Sequence, residues 1–104
     1  MAATFVALYT KPDDAEGFLE EYRSDHLPIA QKWPKVVSTE TTVLTGTPRG
    51  TEPAYYVIFK ATWASMEDMQ AAMQDPSLME ASKHAMGMLQ KYGNTAEMMV
   101  GQDD

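Results

Sequence analysis

Residues 55–63 read Tyr55-Tyr56-Val57-Ile58-Phe59-Lys60-Ala61-Thr62-Trp63, and the fold is read outward from this stretch. Aromatic and β-branched side chains fit a pleated, half-buried surface, so the stretch predicts the best strand of the chain. Alternation places Tyr55, Val57, Phe59, Ala61 and Trp63 on one face and Tyr56, Ile58, Lys60 and Thr62 on the other. Large apolar groups stand on both faces, whereas a sheet wetted on one side alternates more cleanly.

Upstream, Gly46-Thr47-Pro48-Arg49-Gly50-Thr51-Glu52-Pro53 is a turn-forming cluster without apolar periodicity, which predicts an exposed loop between antiparallel strands. Val36 to Thr45, rich in Val and Thr, is the strand before it. Phe5 to Tyr9 is a short apolar run closed by Lys11-Pro12-Asp13-Asp14, and predicts the first strand. Asp13 or Asp14 caps a helix with Phe18, Tyr22 and either Asp25 or His26 on one face. Leu27 precedes Pro28, a position disfavoured in the α region, so the helix is expected to break or bend just after His26, with Pro28 able to open one more turn up to Trp33.

Downstream, Ser65 and Asp68 resemble a capping box ahead of Met66, Met69, Ala72 and Met73. Asp75-Pro76 interrupts that helix and starts another through Leu78, Met79, Ser82, Met86 and Leu89, stopped by Gly93. Ala96 to Val100 is a fourth strand. The order βαββαβ is the ferredoxin-like arrangement: an α+β fold with a four-stranded antiparallel sheet and its helices on one face. The face left bare, apolar in its first and third strands, predicts a homodimer through the open sheet face. A monomer that tolerates exposed Tyr and Thr is the alternative, since apolar atoms make up over half of ordinary folded surfaces.

At 104 residues the chain is read as one domain, residues 1–104. Eight Lys and Arg against 15 Asp and Glu give a net charge of −7, and no basic run could neutralise successive phosphates, so no nucleic-acid partner is expected. The absence of Cys excludes disulfides, thiolate metal sites and a thiol nucleophile. The longest uncharged stretch, Met1 to Thr10, is about half of what spans a bilayer and has no basic flank. The expectation is a soluble, cytoplasmic protein with no membrane partner.

Two histidines are the first candidates for chemistry, because His exchanges protons near neutral pH. Tyr22 and His26 are four apart on one helix, hence neighbours, with Phe18 one turn earlier and Asp25 alongside. A His held at a helix end beside a phenol can abstract a proton or polarise a carbonyl in an apolar pocket. The same residues also describe a half-buried His that satisfies backbone carbonyls freed near Pro28. His84 reads as an edge residue of the second helical unit, with axial ligation of haem as its functional alternative. Tyr9, Phe18, Trp33, Tyr55 and Trp63 are candidate pocket-lining residues for an aromatic ligand, although large aromatics dominate any small core. Nine Met could wall an adaptable pocket or simply fill the core. No metal-ligand spacing and no phosphate-cradling Gly loop is present, so neither a metal nor a bound nucleotide cofactor is expected.

Tyr9 and Pro12, followed by Phe18-Leu19-Glu20-Glu21-Tyr22-Arg23-Ser24-Asp25-His26-Leu27-Pro28, resemble the amino-terminal signature of the EthD family, a group within the dimeric α+β barrel superfamily. The most specific part is Tyr-x-x-x-His-x-Pro, met by Tyr22, His26 and Pro28, and the match runs over residues 5 to 34. There is one departure: the family often continues with Leu-Pro-Gly where this chain has Trp33-Pro34-Lys35, which bears on the local turn. The resemblance implies two sheets facing each other in a dimeric barrel and a pocket between each sheet and its helices. The superfamily includes cofactor-free monooxygenases, lactone isomerases, cyclases, decarboxylases and haem-dependent members, acting on apolar, often aromatic molecules. Carried over, His26 becomes the catalytic or ligand-contacting candidate and Tyr22 its partner. A small cofactor-independent enzyme for an apolar or aromatic catabolite is the leading expectation, and a non-catalytic binding or accessory protein the alternative.

Overall fold

The computed structural model describes residues 1–103. It is an α+β ferredoxin-like fold built from β1 (Ala3–Tyr9), α1 (Ala15–Glu21), a π-helical turn (Tyr22–His26), α2 (Leu27–Ala30), β2 (Val36–Val43), β3 (Val57–Trp63), α3 (Met66–Met73), α4 (Pro76–Tyr92) and β4 (Ala96–Gln102). The strands form one antiparallel sheet in the order β2-β3-β1-β4. Tyr55 and Tyr56, expected in β3, precede it, and Ala96 begins a β4 that runs two residues past Val100.

Register explains the core. Ala3, Ala7 and Tyr9 of β1 pair with Trp63, Phe59 and Val57 of β3, so one face carries this set against the helices. All six are buried, together with Phe18, Tyr22, Met69 and Ala72 from the helical layer. The opposite face presents Leu8 opposite Ile58 and Val6 opposite Lys60, the three apolar groups being only half-buried.

Helix ends follow local chemistry. Asp14 caps α1 by accepting from the Gly17 N–H at 3.0 Å, Ser65 caps α3 from the Asp68 N–H, and Asp75 caps α4 from the Ser77 N–H. Gly93 stops α4 with φ 69°, a left-handed conformation that suits a residue without Cβ, and its N–H returns to the Leu89 carbonyl.

Where a break or bend is expected, the helix changes type without ending: the π-helical turn closes at His26, Leu27 is helical at φ −57°, ψ −42°, and its N–H donates to the Tyr22 carbonyl five residues back. In a regular α-helix the Pro28 ring would collide with the carbonyl of Ser24. The wider π turn moves that carbonyl aside, so the helix absorbs the proline instead of ending. The buried side of α4 is formed by Ala81, Ala85, Met88 and Tyr92, while Met79 and Met86 are exposed. Close approach of helix to sheet selects small alanines over the more hydrophobic methionines.

After Trp33-Pro34 the chain turns at Lys35 with φ 58°. The missing glycine of the family pattern therefore leaves the turn intact, with lysine in the left-handed conformation that glycine adopts without strain.

Candidate functional site

A small cavity of about 50 Å³ lies between the sheet and α4. Phe5, Tyr9, Phe59 and Met98 contribute from the sheet, Leu78, Ala81, Ser82 and Ala85 from α4, and His26 and Trp33 from the helical segment and its exit. The space follows from residue size: Ala81 and Ala85 face the sheet where larger side chains would fill the gap.

Of the candidates read from sequence, Tyr9, His26 and Trp33 border this cavity. Phe18, Tyr22 and Trp63 do not; all three are fully enclosed in the core. Phe18 stacks on Tyr22 at 6.2 Å between ring centroids, and Trp63 stacks behind Trp33 at 5.9 Å and donates its indole N–H to the Pro34 carbonyl at 2.8 Å. The Tyr22 hydroxyl shares a 3.0 Å hydrogen bond with Thr41 Oγ1 of β2, and its ring lies 5.6 Å from that of His26. Tyr55 stands apart just ahead of β3, donating to Glu97 of β4 at 2.7 Å.

His26 is nearly enclosed, and the π turn directs both it and Tyr22 inward. Its Nδ1 lies 3.0 Å from Nδ1 of His84, with the two rings within 15° of parallel. Burial first, and the neighbouring His84 second, push the His26 pKa down to about 4, so the imidazole is neutral near pH 7. Beyond it, His84 Nε2 is 3.9 Å from Glu21 Oε2. Glu21 Oε1 accepts from Lys91 Nζ at 2.8 Å and from the Tyr92 hydroxyl at 2.9 Å, contacts led by the Lys91 bond that hold its carboxyl below the usual range. The side chains of Glu21, Asp25 and His84 come within 4.8 Å of one another, but with Lys91 and Tyr92 on Glu21 they form an ion-pair and hydrogen-bond network and not a free ligand set. Both ring nitrogens of His84 face partners, so axial ligation of haem would have to displace one of them.

Tyr9 and Trp33 bring two further donors to the cavity. Burial, aided by Tyr22, raises the Tyr9 phenol well above its ordinary range, which keeps the proton on it. Trp33 Nε1 is buried without an acceptor, an uncommon state for an interior N–H. A neutral imidazole amid apolar walls, with phenol and indole donors nearby, can accept a proton from a weakly acidic group and stabilise the anion that forms.

In the sequence His84 reads as an edge residue, and nothing singles out Glu21. His26 and His84 are 58 positions apart, so helical spacing carries no trace of the pairing.

The EthD domain family matches residues 11–91. The chain belongs to the EthD family. Among solved structures, this EthD chain is similar to an ethyl tert-butyl ether d family protein from Bacillus halodurans, 27% identical, with a TM-score of 0.88 and all of each chain covered. It shares its fold with SnoaB, a cofactor-independent oxygenase from Streptomyces nogalater, at 18% identity and TM-score 0.62, covering 99% of this chain and 93% of that one. A dimeric ferredoxin-like protein of unknown function from Bacteroides fragilis is similar at 11% identity and TM-score 0.64, covering 98% and 96%. A search among curated proteins finds no match. No helix of the described residues is long and apolar enough to cross a membrane.

Proposed function

We propose that this single EthD domain is a small cofactor-independent enzyme acting on an apolar or aromatic molecule, with His26 as its general base or acid. The observation that carries the reading is a neutral, buried imidazole on the wall of an apolar cavity. Tyr22 packs against that ring and orients it. SnoaB, which shares the fold, is a cofactor-independent oxygenase and supports the cofactor-free reading; a neutral imidazole on the cavity wall suits a monooxygenase, isomerase, cyclase or decarboxylase step begun by removing a proton from an activated substrate.

The cavity is smaller than the roughly 150 Å³ that accommodates benzene in a protein core. An aromatic occupant therefore requires the rim to move, and Met98, 47% exposed and unbranched, is the side chain best able to swing away. The half-buried apolar strip on the outer sheet face supports a homodimer joined through that face. Its site of action on this reading is the cytoplasm.

Turnover of a panel of phenols and enolisable ketones by wild type and His26→Gln tests the proposal. Loss of at least about a hundredfold in kcat with unchanged folding is expected. Activity that survives in the variant sinks the assignment. Binding without product, flat in pH across the histidine range, would favour the alternative of a non-catalytic binding or accessory protein.

A further inference from the structure

We infer that Glu21 and His84 fix the tautomer of His26, so that His26 Nδ1 carries the proton and Nε2 presents its lone pair toward the cavity. The inference rests on His26 being the acid–base group and makes His84 and Glu21 positioning residues for it.

The argument is a count of protons. Two ring nitrogens 3.0 Å apart form a hydrogen bond only if one of them is N–H and the other a lone pair. Which is which is decided on the far side of His84. Glu21, ionised and held by Lys91 and Tyr92, turns its second oxygen toward His84 Nε2. At 3.9 Å this is too long for a hydrogen bond but close enough for the carboxylate to favour N–H over a lone pair at that nitrogen. Neutral His84 is thus protonated on Nε2 and accepts at Nδ1, and His26 must donate from Nδ1. Its remaining nitrogen, Nε2, is then a base. A proton leaving an O–H or C–H of the occupant binds there, and the resulting imidazolium keeps its Nδ1–H bond to His84.

The groups facing His84 are Glu21, Asp25 and His26 from the first helical segment, with Lys91 and Tyr92 of α4 reaching it through Glu21. Burial keeps His26 itself neutral near pH 7.

Ring-nitrogen NMR of the full chain with isotope-labelled histidine reads the tautomer without any ligand. Near neutral pH the expected pattern for His26 is a pyrrole-type Nδ1 and a pyridine-type Nε2. His84→Ala should shift the majority form to protonated Nε2, the usual preference of free imidazole side chains, and His84→Asn, whose Oδ1 replaces the accepting nitrogen, should restore it. Wild-type His26 with its proton on Nε2, or a tautomer unchanged in His84→Ala, overturns the inference. Should His84→Ala fail to fold, Glu21→Gln decides: loss of the carboxylate facing His84 Nε2 must reduce the share of His26 protonated on Nδ1, and an unchanged tautomer overturns the inference equally. A tautomer that responds as expected while His26→Gln keeps full turnover would refute the acid–base reading and leave the positioning network standing.

Discussion

His26 and His84 meet through their Nδ1 atoms at 3.0 Å, one ring carried by the π turn and the other by α4. The contact links the cavity wall to the charged surface around Glu21.

Stability should fall as pH drops from about 6.5 to about 4. The folded-state pKa of His26 lies below its unfolded value of 6.5, so across this window the unfolded chain binds the extra proton and the native state loses ground. Above the unfolded pKa the contribution is fully present. For one group the steepest slope is about 1.4 kcal/mol per pH unit. Urea denaturation at a series of pH values should show this slope in wild type and a flatter profile in His26→Gln; equal slopes would refute the burial of a neutral imidazole.

Tyr22→Phe should destabilise the fold by about 1 kcal/mol, because it removes the bond to Thr41, whose exposed hydroxyl can turn to water. Adding Thr41→Val to that variant should cost less than Thr41→Val alone. A double-mutant cycle by thermal denaturation measures the coupling, and strict additivity would mean that the bond contributes nothing.

Lys35→Gly should raise stability by about 1 kcal/mol, since φ 58° disfavours any residue with a Cβ. The ion pair lost, Lys35 to Asp68 at 3.5 Å, is largely exposed on the lysine side and offsets little of this gain. A lower melting temperature in the variant would contradict the strain argument.

Ile58→Lys probes the proposed dimer. Ile58 sits on the outer sheet face opposite Leu8, away from the cavity, so the folded chain should tolerate the change. An interface across that face would enclose an unpaired ammonium from each copy, at a cost of several kcal/mol. Sedimentation should therefore find two copies in wild type and one in the variant; a wild type that sediments as a single copy removes the proposal.

Much of the fold was legible in local patterns. The alternation of Val57, Phe59, Ala61 and Trp63, the caps Asp14, Ser65 and Asp75 and the stop at Gly93 each act within a few residues, and each stands where its chemistry placed it. Two details were not local, because packing acts over a longer range. Tertiary packing of Tyr22 and His26 decided that the helix widens ahead of Pro28 and continues, and close packing on the sheet turned Ala81 and Ala85 inward and left Met79 and Met86 outside.

The candidate site was half legible. His26 could be singled out because its residue type, spacing from Tyr22 and following proline are all written within one segment. The partnership with His84, the support from Glu21, and the contribution of Phe59, Leu78 and Met98 to the cavity arise only when β3, α4 and β4 are laid against the first helix. Sequence by itself determined the elements, their order and the family, because hydrophobic period, capping and turn chemistry are local. Tertiary structure alone decided which histidine faces which, how deeply each is buried and therefore which proton each holds, because desolvation and hydrogen bonding between distant segments exist only once the chain has closed on itself.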